Sequence, residues 1–163
     1  MCHKLLSVAQ SFQATRASHA SMLGLSGMQY TILTAVAYLQ APEGVALNVV
    51  AKHLHVSPSF VTMEIGKMVD LGVVLKRPDT VDKRRVQLRV SARGWKLLDS
   101  IVPIQQPVND ALFADLTAND IDTFSRIISV IANNSERAKA LLELLKHSPP
   151  TVANAQGVRD MGG

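Results

Sequence analysis

The sequence holds one cysteine, Cys2, which excludes an internal disulfide and any zinc site built on a cysteine cluster. Aromatic residues fill only 4% of 163 positions, so a core has to come from Leu, Ile, Val, Ala and Met. No apolar run approaches the roughly 20 residues that a membrane span requires. No basic start leads into an apolar stretch, so no secretory signal is expected. There is no catalytic triad, no glycine-rich phosphate loop and no convincing pair of carboxylates, so the chain is not expected to be an enzyme. His53 and His55 are two apart and do not face the same way on a helix, so neither a metal site nor a cofactor is expected. What is present is 47% hydrophobic and 18% charged, the opposite bias to a disordered chain. The length suits one domain with an appendage, and the expected setting is reducing and cytoplasmic.

The net charge of +4 is unevenly spread. Between Lys52 and Lys96 lie ten basic residues against Glu64, Asp70, Asp79 and Asp82, a local charge of +6, while the rest of the chain is −2. Concentrated positive charge attracts polyanions by neutralising phosphates and releasing counterions. A merely solvated face carries the same charge, so the surrounding pattern has to decide.

Residues 4–22 read as a helix with mixed faces, in which Arg16 and His19 sit one turn apart. After a break at Leu23 to Gly27, Ser26 with Gln29 three residues on forms a capping box. The helix it opens is apolar at Met28, Ile32, Leu33, Val36 and Leu39, a 3.6-residue period. Residues 41–44 are a turn, and a short helix over 47–54 follows, with Ala46 where Ser or Thr would cap better. His55 falls in the next turn. Ser57-Pro58 then starts a fourth helix, with Pro at its first position, that runs to about Leu71 and stops at Gly72.

Past Gly72 the period changes. Residues 73–77 are β-prone, and Val86 to Val90 alternates apolar and polar at period two, so the two make a hairpin with a long basic tip. Ser91 caps a further helix containing Trp95, Leu97, Leu98 and Ile101. Pro103 and Pro107 interrupt it, and a kink or a break is expected there. Thr117 with Asp120 resembles another capped start, for a last helix over 118–146. The polar, Pro- and Gly-containing residues 148–163 read as a disordered tail.

Two short helices, a tight turn, a helix started by Ser-Pro and a basic hairpin describe a winged helix-turn-helix. A helix fits the major groove and reads bases near its N-terminal half, while the hairpin tip reaches the neighbouring minor groove with Arg.

The residues from Leu25 to Leu98 also resemble the multiple-antibiotic-resistance regulator (MarR) family of winged-helix transcription factors. The match runs through Leu25-Ser26, Gln29-Tyr30 and Leu33, then Val50-Ala51 and Leu54, then Val56-Ser57-Pro58-Ser59 and Val61-Thr62. It continues at Met68, Gly72-Val73-Val74 and Arg77. The wing matches at Asp79 and Asp82-Lys83-Arg84-Arg85, and the sequel at Val86, Leu88, Val90-Ser91, Gly94 and Leu97. The resemblance implies a mainly α fold with a small β-hairpin wing, and N- and C-terminal helices that form a dimerisation region. Its divisions are residues 1–24 and 99–147 for dimerisation, 25–98 for DNA binding and 148–163 as tail.

The function so implied is a homodimeric, sequence-specific regulator of transcription that binds double-stranded DNA at a pseudo-palindromic operator. It would act as a repressor released by a small ligand. Two other classes stay open: a winged helix that contacts proteins, and a small-molecule-binding or enzymatic domain that has lost DNA binding.

The expected DNA contacts are Ser57, Ser59, Phe60, Thr62, Met63 and Lys67 on the Ser-Pro-started helix, and Arg77, Asp82, Lys83, Arg84 and Arg85 on the wing. The family resemblance implies that Asp82 braces Arg84 or Arg85 for the minor groove. Ser57 is first a cap, and Lys67 is either a phosphate contact or a solubilising charge. The family often has Arg where this chain has Met63, and an aliphatic residue where it has Glu64, so base readout here leans on apolar contact with thymine methyls. The family also places a small-molecule pocket near the first helix. There Arg16 suits a carboxylate, His19 a phenol or second oxygen, and Tyr30 and Tyr38 the walls, which favours an aromatic or other anionic effector. A surface or interface role for Arg16 and His19, and a core role for Tyr30, remain the alternatives.

Overall fold

A computed structural model describes residues 2–78 and 85–147. The elements run α1 (Cys2–Met22), α2 (Gly27–Leu39), β1 (Val45–Ala46), α3 (Leu47–His53), α4 (Pro58–Asp70), β2 (Val74–Pro78), β3 (Val86–Val90), α5 (Ala92–Leu112) and α6 (Ala118–His147). The chain divides into two compact units, Met1–Leu112 and Phe113–Gly163. The mainly helical winged-helix architecture expected from the sequence is the one observed.

The local signals explain most boundaries. Ser26 accepts from the Gln29 backbone N–H at 3.1 Å, and the Gln29 side chain accepts in return from the Ser26 N–H at 3.0 Å, the reciprocal pairing of a capping box. Ser57 caps α4 by accepting from the Phe60 N–H at 3.2 Å. Ala46 gives α3 no side-chain cap. Gly72 ends the α4 turn at φ +70°, where a Cβ would be strained, whereas His55 holds φ +54° between α3 and α4 despite carrying one. Thr117 and Asp120 cap α6 reciprocally: Asp120 N–H donates to the Thr117 hydroxyl at 3.2 Å, and the Asp120 carboxylate accepts from the Thr117 N–H at 2.9 Å.

The core of the first unit is aliphatic. α2 buries Ile32, Leu33 and Val36, α3 buries Val50 and Ala51, and α4 buries Val61, Ile65 and Met68. These close over Val45, Val74, Leu88 and Val90 of the sheet. Each such aliphatic side chain contributes about 1.5–3 kcal/mol when fully buried. The sheet is antiparallel in the order β1-β3-β2, with Val45 opposite Leu88, and Lys76 opposite Leu88 on the other side. β1 was not expected from the sequence, because two residues carry no period.

The wing is anchored to α5 at one corner. Ser91 donates its hydroxyl proton to the Gly72 carbonyl at 2.6 Å and accepts from the Gly94 N–H at 2.9 Å. A Cβ on Gly94 would run into the Val73 carbonyl oxygen and lie 2.8 Å from a Val90 methyl. Across the same lobe, the Gln40 side chain that follows α2 accepts from the Val90 N–H at 3.0 Å.

Of the kink or break expected at Pro103 and Pro107, the break does not occur. α5 is one continuous helix of 21 residues with both prolines inside it. The carbonyls that lose a helical donor are those four residues back, on Asp99 and Pro103. Both residues are exposed, and a carbonyl freed at an exposed residue can be satisfied by water without breaking the helix. The expected disordered tail, residues 148–163, lies outside the described residues. No single helix among the described residues is long and apolar enough to cross a membrane.

Candidate nucleic-acid interface

The α4 sequence sorts itself by period. Val61, Glu64, Ile65 and Met68 face the core, which leaves Ser59, Thr62, Met63, Gly66 and Lys67 outward. Met63 is 52% exposed, a large apolar side chain on an otherwise polar face. Ser57 and Ser59 hold their hydroxyls 3.1 Å apart at the leading end. The Thr62 hydroxyl donates to the Pro58 carbonyl at 2.9 Å, so its proton is committed within the helix. Phe60 is half-buried. Lys67 pairs with Glu64 at 2.7 Å, and Glu64 itself is 6% exposed.

Beside α4 stands the hairpin of β2 and β3, paired from Val74 opposite Val90 to Pro78 opposite Val86. Arg77 projects from β2 as an exposed residue opposite Gln87, and Arg85 is exposed directly before β3. Asp82, Lys83 and Arg84, all expected contacts, lie outside the described residues. The described parts of the wing and α4 thus bring Ser57, Ser59, Thr62, Met63, Lys67, Arg77 and Arg85 onto exposed surface of one lobe. Between them lies a cleft of about 260 Å³ lined by Ala46, Leu47, Asn48, Thr62, Arg85 and Val86.

A second cavity, about 230 Å³, lies among α1, α2 and α5. Three of the four expected ligand residues line it: Arg16, His19 and Tyr30. Arg16 donates to the Thr34 hydroxyl at 3.5 Å, a long bond. The His19 and Tyr30 rings meet edge to face with centroids 6.2 Å apart. Burial raises the Tyr30 phenol above its ordinary value, and the Arg16 charge opposes that rise. Tyr38 does not line this cavity. Eight residues along a helix from Tyr30 is about 12 Å, and Tyr38 is 80% exposed, with its ring 5.9 Å from that of His53. Gln105 and Asn109 of α5, not expected from the sequence, also line the cavity. Their i, i+4 spacing within α5 was a usable signal, obscured by the two prolines around them. Among the described residues no three His, Cys, Asp or Glu side chains come together to hold a metal ion.

A lobe built on a helix-turn-helix with an adjoining two-stranded basic wing defines a winged helix-turn-helix protein. No protein-family model matches the chain. A curated relative, the transcriptional regulator HosA of Escherichia coli, is 29% identical over 110 residues, which span 67% of this chain and 78% of that protein. Among solved structures, a MarR variant from Escherichia coli complexed with operator DNA has a TM-score of 0.65 at 19% identity, covering 79% of this chain and 91% of the other. CouR from Rhodococcus jostii, bound to p-coumaroyl-CoA, has a TM-score of 0.68 at 19% identity, covering 78% and 89%. The wing motif, the relative and the solved structures agree, and the chain has the winged helix-turn-helix fold of the MarR family.

Proposed function

We propose that this protein is a homodimeric, sequence-specific DNA-binding regulator of transcription in the cytoplasm, not an enzyme. The observation that carries the reading is the outward face of α4, where Ser59, Thr62 and Met63 stand exposed beside the basic root of the wing at Arg77 and Arg85. A capped helix of 13 residues fits a major groove, and a basic hairpin beside it reaches the next minor groove. The relative named as a transcriptional regulator, and the related fold solved on operator DNA, support it.

Dimerisation rests on α6 and its flanks. α6 buries none of its own residues and exposes Ile121, Phe124, Ile127, Ile128 and Ile131 at helical spacing. Apolar surface of that extent is covered in a soluble protein, and a second copy covers it here. Residues 1–24 and 99–147 form the dimerisation region, and 25–98 the DNA-binding region. Two lobes then address half-sites about one helical turn, roughly 10 bp, apart.

The cavity at Arg16, His19, Tyr30, Gln105 and Asn109 takes a small anionic effector, an aromatic carboxylate by its chemistry. Arg16 meets the carboxylate, and the amides take further oxygens. Effector binding releases the repressor from DNA; by linkage, DNA weakens effector binding by the same factor.

Fluorescence anisotropy on the DNA upstream of the protein's own coding region, with random duplex as control, tests the reading. The expected result is tight, salt-sensitive binding to the upstream duplex, reversed by one of a panel of aromatic carboxylates. Tight binding that no carboxylate reverses rejects the effector assignment. Equally weak binding to both, repeated after selection from random duplexes, rejects the regulator and turns the basic wing toward a protein partner.

A further inference from the structure

Asn48, Thr62 and Arg85 come from three separate parts of the chain: the start of α3, the middle of α4 and the residue before β3. They line one cleft, with Ala46, Leu47 and Val86 as its apolar part. Among the described residues its lining holds one positive charge and no acidic residue, which suits an anion. Its hydrogen-bond donors differ in what they can give. The Thr62 proton is committed to the Pro58 carbonyl. Arg85 already has an interaction of its own, and its five N–H donors allow more than one partner; Asn48 has two donors. Both are exposed, and the Asn48 amide bonds no other described residue.

The position of the cleft says which anion. If α4 occupies a major groove and the wing the adjacent minor groove, one sugar–phosphate strand separates the two grooves and runs between the two elements. The cleft lies there, between Thr62 on α4 and Arg85 and Val86 at the root of the wing. Resting on the DNA-binding reading above, we infer that this cleft seats a phosphodiester of the groove-separating strand. Asn48 and Arg85 donate to its oxygens, and Ala46 and Leu47 pack against the sugar. Asn48 is thus a positioning contact of the interface, outside the recognition helix and the wing. Such a contact fixes the register of the lobe on the duplex and carries no sequence information of its own.

The test uses the full-length protein, a duplex selected by it from a random pool, and an unselected duplex of equal length. Single phosphates are neutralised one at a time as methylphosphonates. Asn48→Ala is expected to weaken binding to both duplexes by the same factor, about ten-fold for a hydrogen bond to a charged group. The dependence on salt keeps its slope, because Asn neutralises no phosphate, whereas Arg85→Ala lowers the slope by about one. One methylphosphonate position per half-site weakens the wild type by about ten-fold more than it weakens the Asn48→Ala variant, in which Arg85 alone still meets that phosphate. Asn48 is exposed, so the variant is expected to fold, and circular dichroism checks this. Methylphosphonate losses that add fully to the Asn48→Ala loss at every position overturn the seat. A loss confined to the selected duplex also overturns it, by making Asn48 a base reader. Failure of the wild type to select any duplex overturns the DNA-binding reading itself, and the seat with it.

Discussion

The exposed Lys67 lies 2.7 Å from Glu64, whose side chain is buried on the core-facing side of the same helix, α4. The charge that Lys67 presents outward is therefore offset from beneath. An aliphatic residue at position 64, common in the resembling family, would leave Lys67 unopposed. Glu64→Gln removes the negative charge and keeps the shape. The expected outcome is tighter binding to any duplex at low salt, by about three-fold, with a steeper salt dependence. Unchanged affinity at low salt would place Lys67 away from the DNA.

Gly94 is required by space. A Cβ there meets the Val73 carbonyl and the Val90 side chain, where α5 is pinned to the wing. Gly94→Ala should cost about 1–3 kcal/mol by overpacking, lowering the melting temperature by roughly 2–12 °C. An unchanged melting curve would mean that the corner yields without cost.

Gly66 stands in the opposite case. It lies on the exposed face of α4, and a Cβ there meets nothing within 4 Å. Gly66→Ala should stabilise the free protein by about 1 kcal/mol, the helix-propensity gain. If this face enters the groove, the added methyl meets DNA, and affinity for the selected duplex falls while stability rises. Parallel melting and anisotropy curves separate the two effects.

Tyr30 titrates above 10.0, because burial disfavours its phenolate. The folded state holds this proton more tightly than the unfolded chain. Its contribution to stability is therefore complete below pH 10 and is lost as pH rises through the folded value. The phenolate absorbance of the wild type minus that of Tyr30→Phe should show a midpoint above the ordinary tyrosine value. A midpoint at the ordinary value would show that the cavity wall is wet.

Helix boundaries were legible wherever a local hydrogen bond sets them. Ser26 with Gln29, Ser57 with Pro58, and Thr117 with Asp120 each satisfy the free N–H groups of a helix start from within four residues, so adjacent sequence suffices. The core face of α2 and the strand Val86–Val90 were legible because burial on one side imposes a period. Pro103 and Pro107 suggest a kink or a break because their local cost is visible in sequence, whereas the exposure of Asp99 and Pro103 that goes with an unbroken helix is not. Tyr38 misled for a related reason: an aromatic near a predicted pocket says nothing of the direction in which it points.

The sequence by itself determined the order of elements, the caps, the apolar faces and the basic segment, because each depends on neighbours a few residues away. Only the tertiary structure decided which distant residues share a surface. Arg16, His19 and Tyr30 meet Gln105 and Asn109, and Asn48 meets Thr62 and Arg85. Those meetings depend on how helices and strands pack over a common core, and packing couples positions through space with no trace in local periodicity.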